Sequence, residues 1–145
     1  MQLNGDILYK VCQAADFCNP TENLRQAQHL IQLMMKERGV GLAANQAGVD
    51  LRLFVMFVDK EIFHCFNPQI IDTNGGLIES KEGCLSFPGE ICTITRHSGI
   101  VTEYYNARGR KQQREFHGLA SRCFQHELDH LNGVTMYERE KSTQS

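Results

Sequence analysis

Toward the C-terminal end of the chain runs Gln125-His126-Glu127-Leu128-Asp129-His130, and no other stretch restricts the fold as much. Residues four apart on an α-helix share a flank about one turn apart. His126 and His130 can therefore reach one ion with their ring nitrogens, while Glu127 addresses a water beside it as general base. The same spacing brings Leu119 and Cys123 onto that flank. An apolar flank faces a core, so the histidines and the glutamate point inward with it, and buried groups of that kind need partners. The bland alternative is a charged helix face turned to solvent, against which the apolar neighbours speak. The helix is expected from about Gly118 to Asn132, with Gly133 as its stop.

The remaining chain supplies what such a helix packs against. A first helix is expected from about Pro20 to Arg38: Asn19 can cap it, Pro20 suits the first turn, and Glu22 stands three residues after the cap. Leu24, Ala27, Leu30, Ile31, Met34 and Met35 follow at helical spacing until Gly39. Leu51 to Val58 is dense in β-formers and reads as a strand. Phe63 to Ile71, Gly76 to Ser80 and Ile91 to His97 read as further strands, separated by Asn-Pro, Asn-Gly-Gly and Phe-Pro-Gly turn signals. Ile100 to Asn106 and Lys111 to Phe116 flank Ala-Arg-Gly as a hairpin. The order helix, strands, helix gives an α+β class, with mixed or antiparallel sheets around the histidine helix. With 145 residues the expectation is one domain, 1–145, whose tail is loose from about residue 134 and polar from Glu138.

Composition narrows the functional classes. A formal charge of -2 provides no field for polyanions, so no direct nucleic-acid partner is expected. No apolar run approaches the roughly 20 residues of a membrane span, and the opening residues lack the pattern of a signal peptide. The expected setting is the cytoplasm, without a membrane partner. The six cysteines, Cys12, Cys18, Cys65, Cys84, Cys92 and Cys123, contain no Cys-x-x-Cys. They are expected as reduced thiols, and any metal-binding cysteine would act singly.

A third ligand decides what His126 and His130 are for. A metzincin pattern would continue to a histidine where Met136 stands, and Met136 is no partner for zinc. A thermolysin-like glutamate from a later helix would have to come from Glu138 or Glu140 in the polar tail. The search therefore turns upstream. Cys84 has the most unusual setting, the turn Glu82-Gly83-Cys84-Leu85-Ser86-Phe87-Pro88-Gly89, although a lone cysteine is ordinarily a small buried hydrophobe. His29, His64, His97 and His117 are the other candidates, none with a supporting pattern.

Three segments together, Gly39-Val40-Gly41-Leu42-Ala43-Ala44-Asn45-Gln46, Glu82-Gly83-Cys84-Leu85-Ser86 and Gln125-His126-Glu127-Leu128-Asp129-His130, closely resemble the three signature motifs of the peptide deformylase family. The likeness runs from about Asp6 to Gly133. It implies an enzyme that removes the formyl group from the N-terminal formylmethionine of nascent polypeptides and releases formate. By the same resemblance Cys84, His126 and His130 would bind one divalent metal, natively Fe²⁺ with Zn²⁺, Ni²⁺ or Co²⁺ able to substitute. Gln46 and the backbone N–H of Leu85 would hold the formyl oxygen, and Glu127 would shuttle the proton. Val40, Gly41, Glu82, Phe87, Leu119, Arg122 and Cys123 would lie in or near the methionine pocket, which makes Cys123 a packing residue. Asp129 and Arg96 would be structural ion-pair or hydrogen-bonding residues. The glycine-rich segment reads as a helix stop with a tight turn, and also as a place where small side chains let a peptide lie alongside as an added strand.

Two departures from the family pattern bear on specificity and partners. Ile91 stands seven positions after Cys84, where some members carry an arginine near the substrate. The chain ends about a dozen residues after Gly133, which resembles short bacteriophage-encoded forms without the C-terminal helix implicated in ribosome docking. The setting would then be a bacterial cytoplasm or that of a phage host. A metallopeptidase resting on His-Glu-x-x-His alone, and a non-catalytic module using the motif as a helix face, are the competing readings.

Overall fold

The computed structural model describes residues 6–144, with side chains as far as Glu140. Helix α1 spans Pro20–Lys36. Asn19 caps it by accepting from the Glu22 N–H at 3.1 Å, and Ala27, Leu30 and Met34 are buried along one face. Its end differs from the expectation built on Gly39. The left-handed residue is Arg38, with φ 57°, and the Gly39 N–H closes the turn onto the Met34 carbonyl at 2.9 Å. Gly39 is small for a different reason: a Cβ there would stand 2.7 Å from Leu85 Cδ1.

Five strands form one sheet in chain order: β1 Gly41–Ala43, β2 Leu53–Val58, β3 Glu61–Cys84, β4 Phe87–Tyr105 and β5 Lys111–His117. Every pairing is antiparallel, so the mixed alternative is set aside. The separate strands expected over 63–71 and 76–80 are parts of β3, and those over 91–97 and 100–106 are parts of β4. Asn67-Pro68 and Asn74-Gly75-Gly76 do not reverse the chain. They sit at register shifts between Phe66 and Gln69 and between Asn74 and Leu77, where a bulge absorbs residues that suit no ladder position. The reversal comes at Leu85–Ser86, because Cys84 pairs with Phe87.

The run Leu-Phe-Val-Met-Phe-Val of β2 is apolar on both faces because, exposed Phe57 apart, both faces are covered. Leu53 and Val55 pack with Ala27, Leu30 and Met34 of α1. Phe54, Met56 and Val58 pack on the other side with Phe63, Ile100, Phe116 and the residues Ala120, Phe124 and Leu131 of helix α2, Gly118–Leu131. Phe54 and Phe124 meet edge to face at 4.9 Å. Burying side chains of this size contributes about 1.5–3 kcal/mol each, which is what fixes α2 against the sheet.

After Gly133, whose φ is 76°, the chain forms a third helix, α3, Met136–Gln144. The stretch expected as a tail from about residue 134 is helical here. Met136 is buried against Cys92 and Ile94, Tyr137 stacks edge-on to Phe87 at 5.0 Å, and Arg139 reaches Asp129 at 2.7 Å. Buried Met136 is also a packing residue, not a downstream ligand. Among the described residues no helix is long and apolar enough to cross a membrane.

Candidate metal and active site

Helix α2 is buried almost all round, and its three facets do different work. Ala120, Phe124 and Leu131 face the sheet, while Ser121, Gln125 and Asp129 hold β4 and α3: Gln125 accepts from the His97 N–H at 3.1 Å and Ser121 donates to the His97 carbonyl at 2.9 Å. Cys123, His126, Glu127 and His130 share the remaining facet, which looks into a cleft. Cys84 reaches the same point from the other wall, because the two-residue turn after β3 swings it over α2.

The Cys84 sulfur and a ring nitrogen each from His126 and His130 lie within 4.8 Å of one another, the one group of three such donors among the described residues. Cys84 Sγ is 3.2 Å from His130 Nε2. His126 Nδ1 donates to Glu82 Oε1 at 2.8 Å, which leaves Nε2 as the ring nitrogen available to an ion or a proton. His130 Nδ1 and Glu127 Oε1 are buried without a partner among the described residues. A cysteine sulfur and two imidazoles gathered this closely, beside a buried Glu127 oxygen with no partner, fit a divalent ion of borderline softness. His29, His64, His97 and His117 stand outside the group.

Glu82 is the pivot of the surrounding charges. It accepts from Arg96 Nε and Nη2 at 2.5 and 2.9 Å, from Arg122 Nη1 at 2.5 Å and from His126. Burial alone would raise its carboxyl, but the hydrogen bonds from His126 and Arg96 and the charge of Arg96 outweigh burial and hold it down at about 2. Arg96 Nη1 also donates to Asp129 Oδ2 at 2.8 Å, so the expected structural ion pair is present. Burial opposes the charged form of His126, yet its bonds to Cys84 and Glu82 raise it to about 10, whereas burial and the charge of His126 push His130 well below the usual imidazole range.

Glu127 is packed beneath β1. A Cβ on Gly41 would lie 2.6 Å from Glu127 Oε2 and 2.8 Å from Cys123 Sγ, so only glycine lets the strand run this close to the carboxylate. Burial pushes Glu127 up to about 7, against the pull of His126. The same burial raises the Cys123 thiol, whose Sγ–H is directed at the Val40 carbonyl, as a packing role requires. Gln46 lies in a 3-10 turn, Ala44–Ala47, directly after β1. Its Oε1 accepts from the Ala43 N–H at 2.9 Å, and its Nε2 donates to Ser86 Oγ at 2.9 Å beside Cys84 Sγ at 3.5 Å.

These groups open on a cavity of about 500 Å³. Val40, Gly41, Gln46, Glu82, Leu85, Leu119, Arg122 and Cys123 line it together with Cys84, His126 and Glu127. Phe87 does not. Its ring meets Tyr137 and packs in the same cluster as Cys84, so it stands beside the cavity and not in its lining. Asn45 and Ser86 escaped the sequence reading. Asn45 Nδ2 donates to the His130 carbonyl at 2.6 Å and Ser86 orients Gln46; both stood inside quoted motifs, and their position there was the available signal.

The family model described as polypeptide deformylase matches residues 1–145. A peptide deformylase of Thermotoga maritima is 42% identical over 119 residues, covering 81% of this chain and 73% of that protein. Its crystal structure superposes with a TM-score of 0.86 at 39% identity, over 92% of this chain and 90% of that one. A peptide deformylase of Synechococcus elongatus, solved in complex with actinonin, gives a TM-score of 0.88 at 34% identity, over 96% of this chain and 76% of that one.

Proposed function

This chain belongs to the polypeptide deformylase family and is a peptide deformylase, and from that premise we propose how its residues divide the removal of the N-terminal formyl group among them. Residues 1–145 act as one catalytic domain. Cys84, His126 and His130 hold the metal on which the family depends. The observation that carries this reading is the convergence of their three donor atoms within 4.8 Å from two separate walls of the cleft. That donor set suits Fe²⁺, Zn²⁺, Ni²⁺ and Co²⁺; we take Fe²⁺ as the resident ion, in line with the family, and the others as substitutes. When bound, the ion supplies a Lewis acid that polarises the formyl carbonyl and makes water nucleophilic near neutral pH.

The protein's own groups do the rest. Gln46 Nε2, fixed by Ser86 next to Cys84, and the Leu85 N–H, one residue beyond the ligand, donate to the formyl oxygen as it gains charge; one such donor typically contributes about 3 kcal/mol. Glu127, buried beneath β1 next to the ligands, takes the proton of the attacking water and returns it to the departing amine. Val40, Leu119, Cys123 and the alkyl stem of Arg122 offer the methionine side chain an apolar wall, and Gly41 leaves room at the edge strand for the peptide to pair as an added strand. Glu82 is the buried anchor of Arg122 and His126 in that wall. Anaerobically purified, iron-loaded protein is expected to release formate from formyl-Met-Ala-Ser and no acetate from acetyl-Met-Ala-Ser. Absence of formate at full metal occupancy would overturn the assignment.

A further inference from the structure

We propose that Arg139, on the C-terminal helix α3, is a positioning residue for His126, acting through Asp129, Arg96 and Glu82. The proposal rests on the reading of His126 as a metal ligand. The groups form one unbroken series of alternating charge. Arg139 grips Asp129 with two bonds, Nη2 to Oδ1 at 2.7 Å and Nε to Oδ2 at 3.0 Å. Asp129 Oδ2 accepts from Arg96 Nη1 at 2.8 Å, Arg96 holds Glu82 through Nε and Nη2, and Glu82 Oε1 accepts from His126 Nδ1. The inner members are out of solvent, with side chains 12% exposed for Asp129, 3% for Arg96 and 6% for Glu82. This is therefore not a row of surface ion pairs, whose geometry means little.

The wiring makes Arg139 matter at a distance. Without it, Asp129 keeps one bond, from Arg96, and its Oδ1 is left inside the protein with no donor. A buried carboxylate in that state draws the nearest guanidinium toward it. Arg96 Nη1 already faces Asp129, and because the guanidinium is rigid, its turn toward Oδ1 strains the two bonds to Glu82, which Arg122 then holds through Oε2 alone. Glu82 Oε1 is shared between Arg96 Nη2 and His126 Nδ1, so its displacement frees the imidazole to rotate. Partners of a ligating histidine's second nitrogen set the ring's orientation. The helix expected to be a loose tail thus closes the far end of a series that begins at the metal.

The test compares Arg139→Ala, Arg139→Lys and Met136→Ala in zinc-loaded, ¹⁵N-labelled protein by hydrogen exchange of the His126 Nδ1–H and by zinc loss to an excess of chelator. Arg139→Ala is expected to speed both about tenfold, the lower end of outer-shell effects. Arg139→Lys, a point charge that cannot make the two-bond grip, should fall between and serves if the alanine variant does not fold. Met136→Ala removes an apolar contact of α3 but none of the bonds of the series, so with the two-bond grip of Arg139 on Asp129 intact exchange should stay within twofold of the parent. Unchanged exchange in Arg139→Ala overturns the proposal. So does an equal acceleration in Met136→Ala, because Arg139 would then merely anchor the helix. The exchange is also read on metal-free protein, and formate release is assayed separately: failure to release formate defeats the functional reading while the exchange still judges the series.

Discussion

Gly41→Ala puts the tightest contact in the site to use. The added methyl would stand 2.6 Å from Glu127 Oε2 and 2.8 Å from Cys123 Sγ, where ordinary contact begins at 3.4 Å. Relief needs a shift of about 0.8 Å at the carboxylate, taken from those same two distances. The strand cannot retreat, because Gly41 pairs with Met56 and the neighbouring Val40 carbonyl accepts from the Phe57 N–H at 2.8 Å. The helix cannot retreat either, because Phe124 and Leu131 seat it on the sheet. Glu127 therefore swings away from its post. Misplacing a catalytic group by about 1 Å costs roughly 10²-fold, so kcat/KM for formate release should drop by about that factor with metal content unchanged. Overpacking costs about 1–3 kcal/mol, which for a chain of this size lowers Tm by roughly 4–12 °C. Adding Cys123→Ala removes the sulfur clash but leaves the oxygen clash, so the double variant should regain more Tm than activity. A Gly41→Ala protein with stoichiometric metal and kcat/KM within threefold of the parent would refute this account of Glu127.

Four further outcomes follow from the same geometry. Glu127→Gln should keep its metal and lose about 10²–10⁴-fold in formate release; comparable loss of bound metal would mean the residue holds the site together instead. Stripping the metal with a chelator should lower Tm, since an ion at 100 times its Kd adds about 2.7 kcal/mol, and equal Tm values with and without metal would deny the Cys84–His126–His130 site. Glu82 is held at about 2 from an ordinary 4.5. Its folded pKa is lowered, so its contribution to stability is complete above about 4.5 and drains away as pH falls toward 2; urea midpoints across that window should fall less steeply for Glu82→Gln than for the parent, and parallel curves would count against the network. Phe124→Ala, at the centre of the sheet–helix core, should cost about 3–5 kcal/mol in urea unfolding, and a loss under 1 kcal/mol would place the core elsewhere.

What could be read in advance was what depends on neighbours along the chain. The four-residue spacing of His126 and His130 puts them on one flank whatever surrounds the helix, and Asn19-Pro20 with Glu22 starts α1 by local bonding alone. Cys84 stands out by its glycine- and proline-rich turn and then by motif likeness, Gln46 by likeness alone, and the structure brings Cys84 to His130 and Gln46 to Cys84. What failed depends on partners far away. Asn67-Pro68 and Asn74-Gly75-Gly76 are good turn formers, yet β4 continues past them and turns them into bulges. Phe87 stands beside the cavity and not in its lining, next to the register shift between Gly83 and Cys84 that resets which face a strand residue takes. The tail reads as loose because Val134, Met136 and Tyr137 are its whole apolar content and all is polar from Glu138, while the bond of Arg139 to Asp129 depends on a residue ten positions away.

The long ribbon of β3 and β4 also dictates an order of events. Its pairing starts beside the turn at Cys84 and Phe87 and runs out to Phe66 and Tyr105. Contacts near a turn close cheaply and early, distant ones later. Cys84 is thus set in the first stretch to zip, whereas the two histidines belong to a helix that leaves the ribosome after the whole ribbon and can dock only on a finished sheet. An ion held by Cys84, His126 and His130 would join the first stretch of the ribbon to a helix docked on the finished sheet, so its binding is expected only once both are in place.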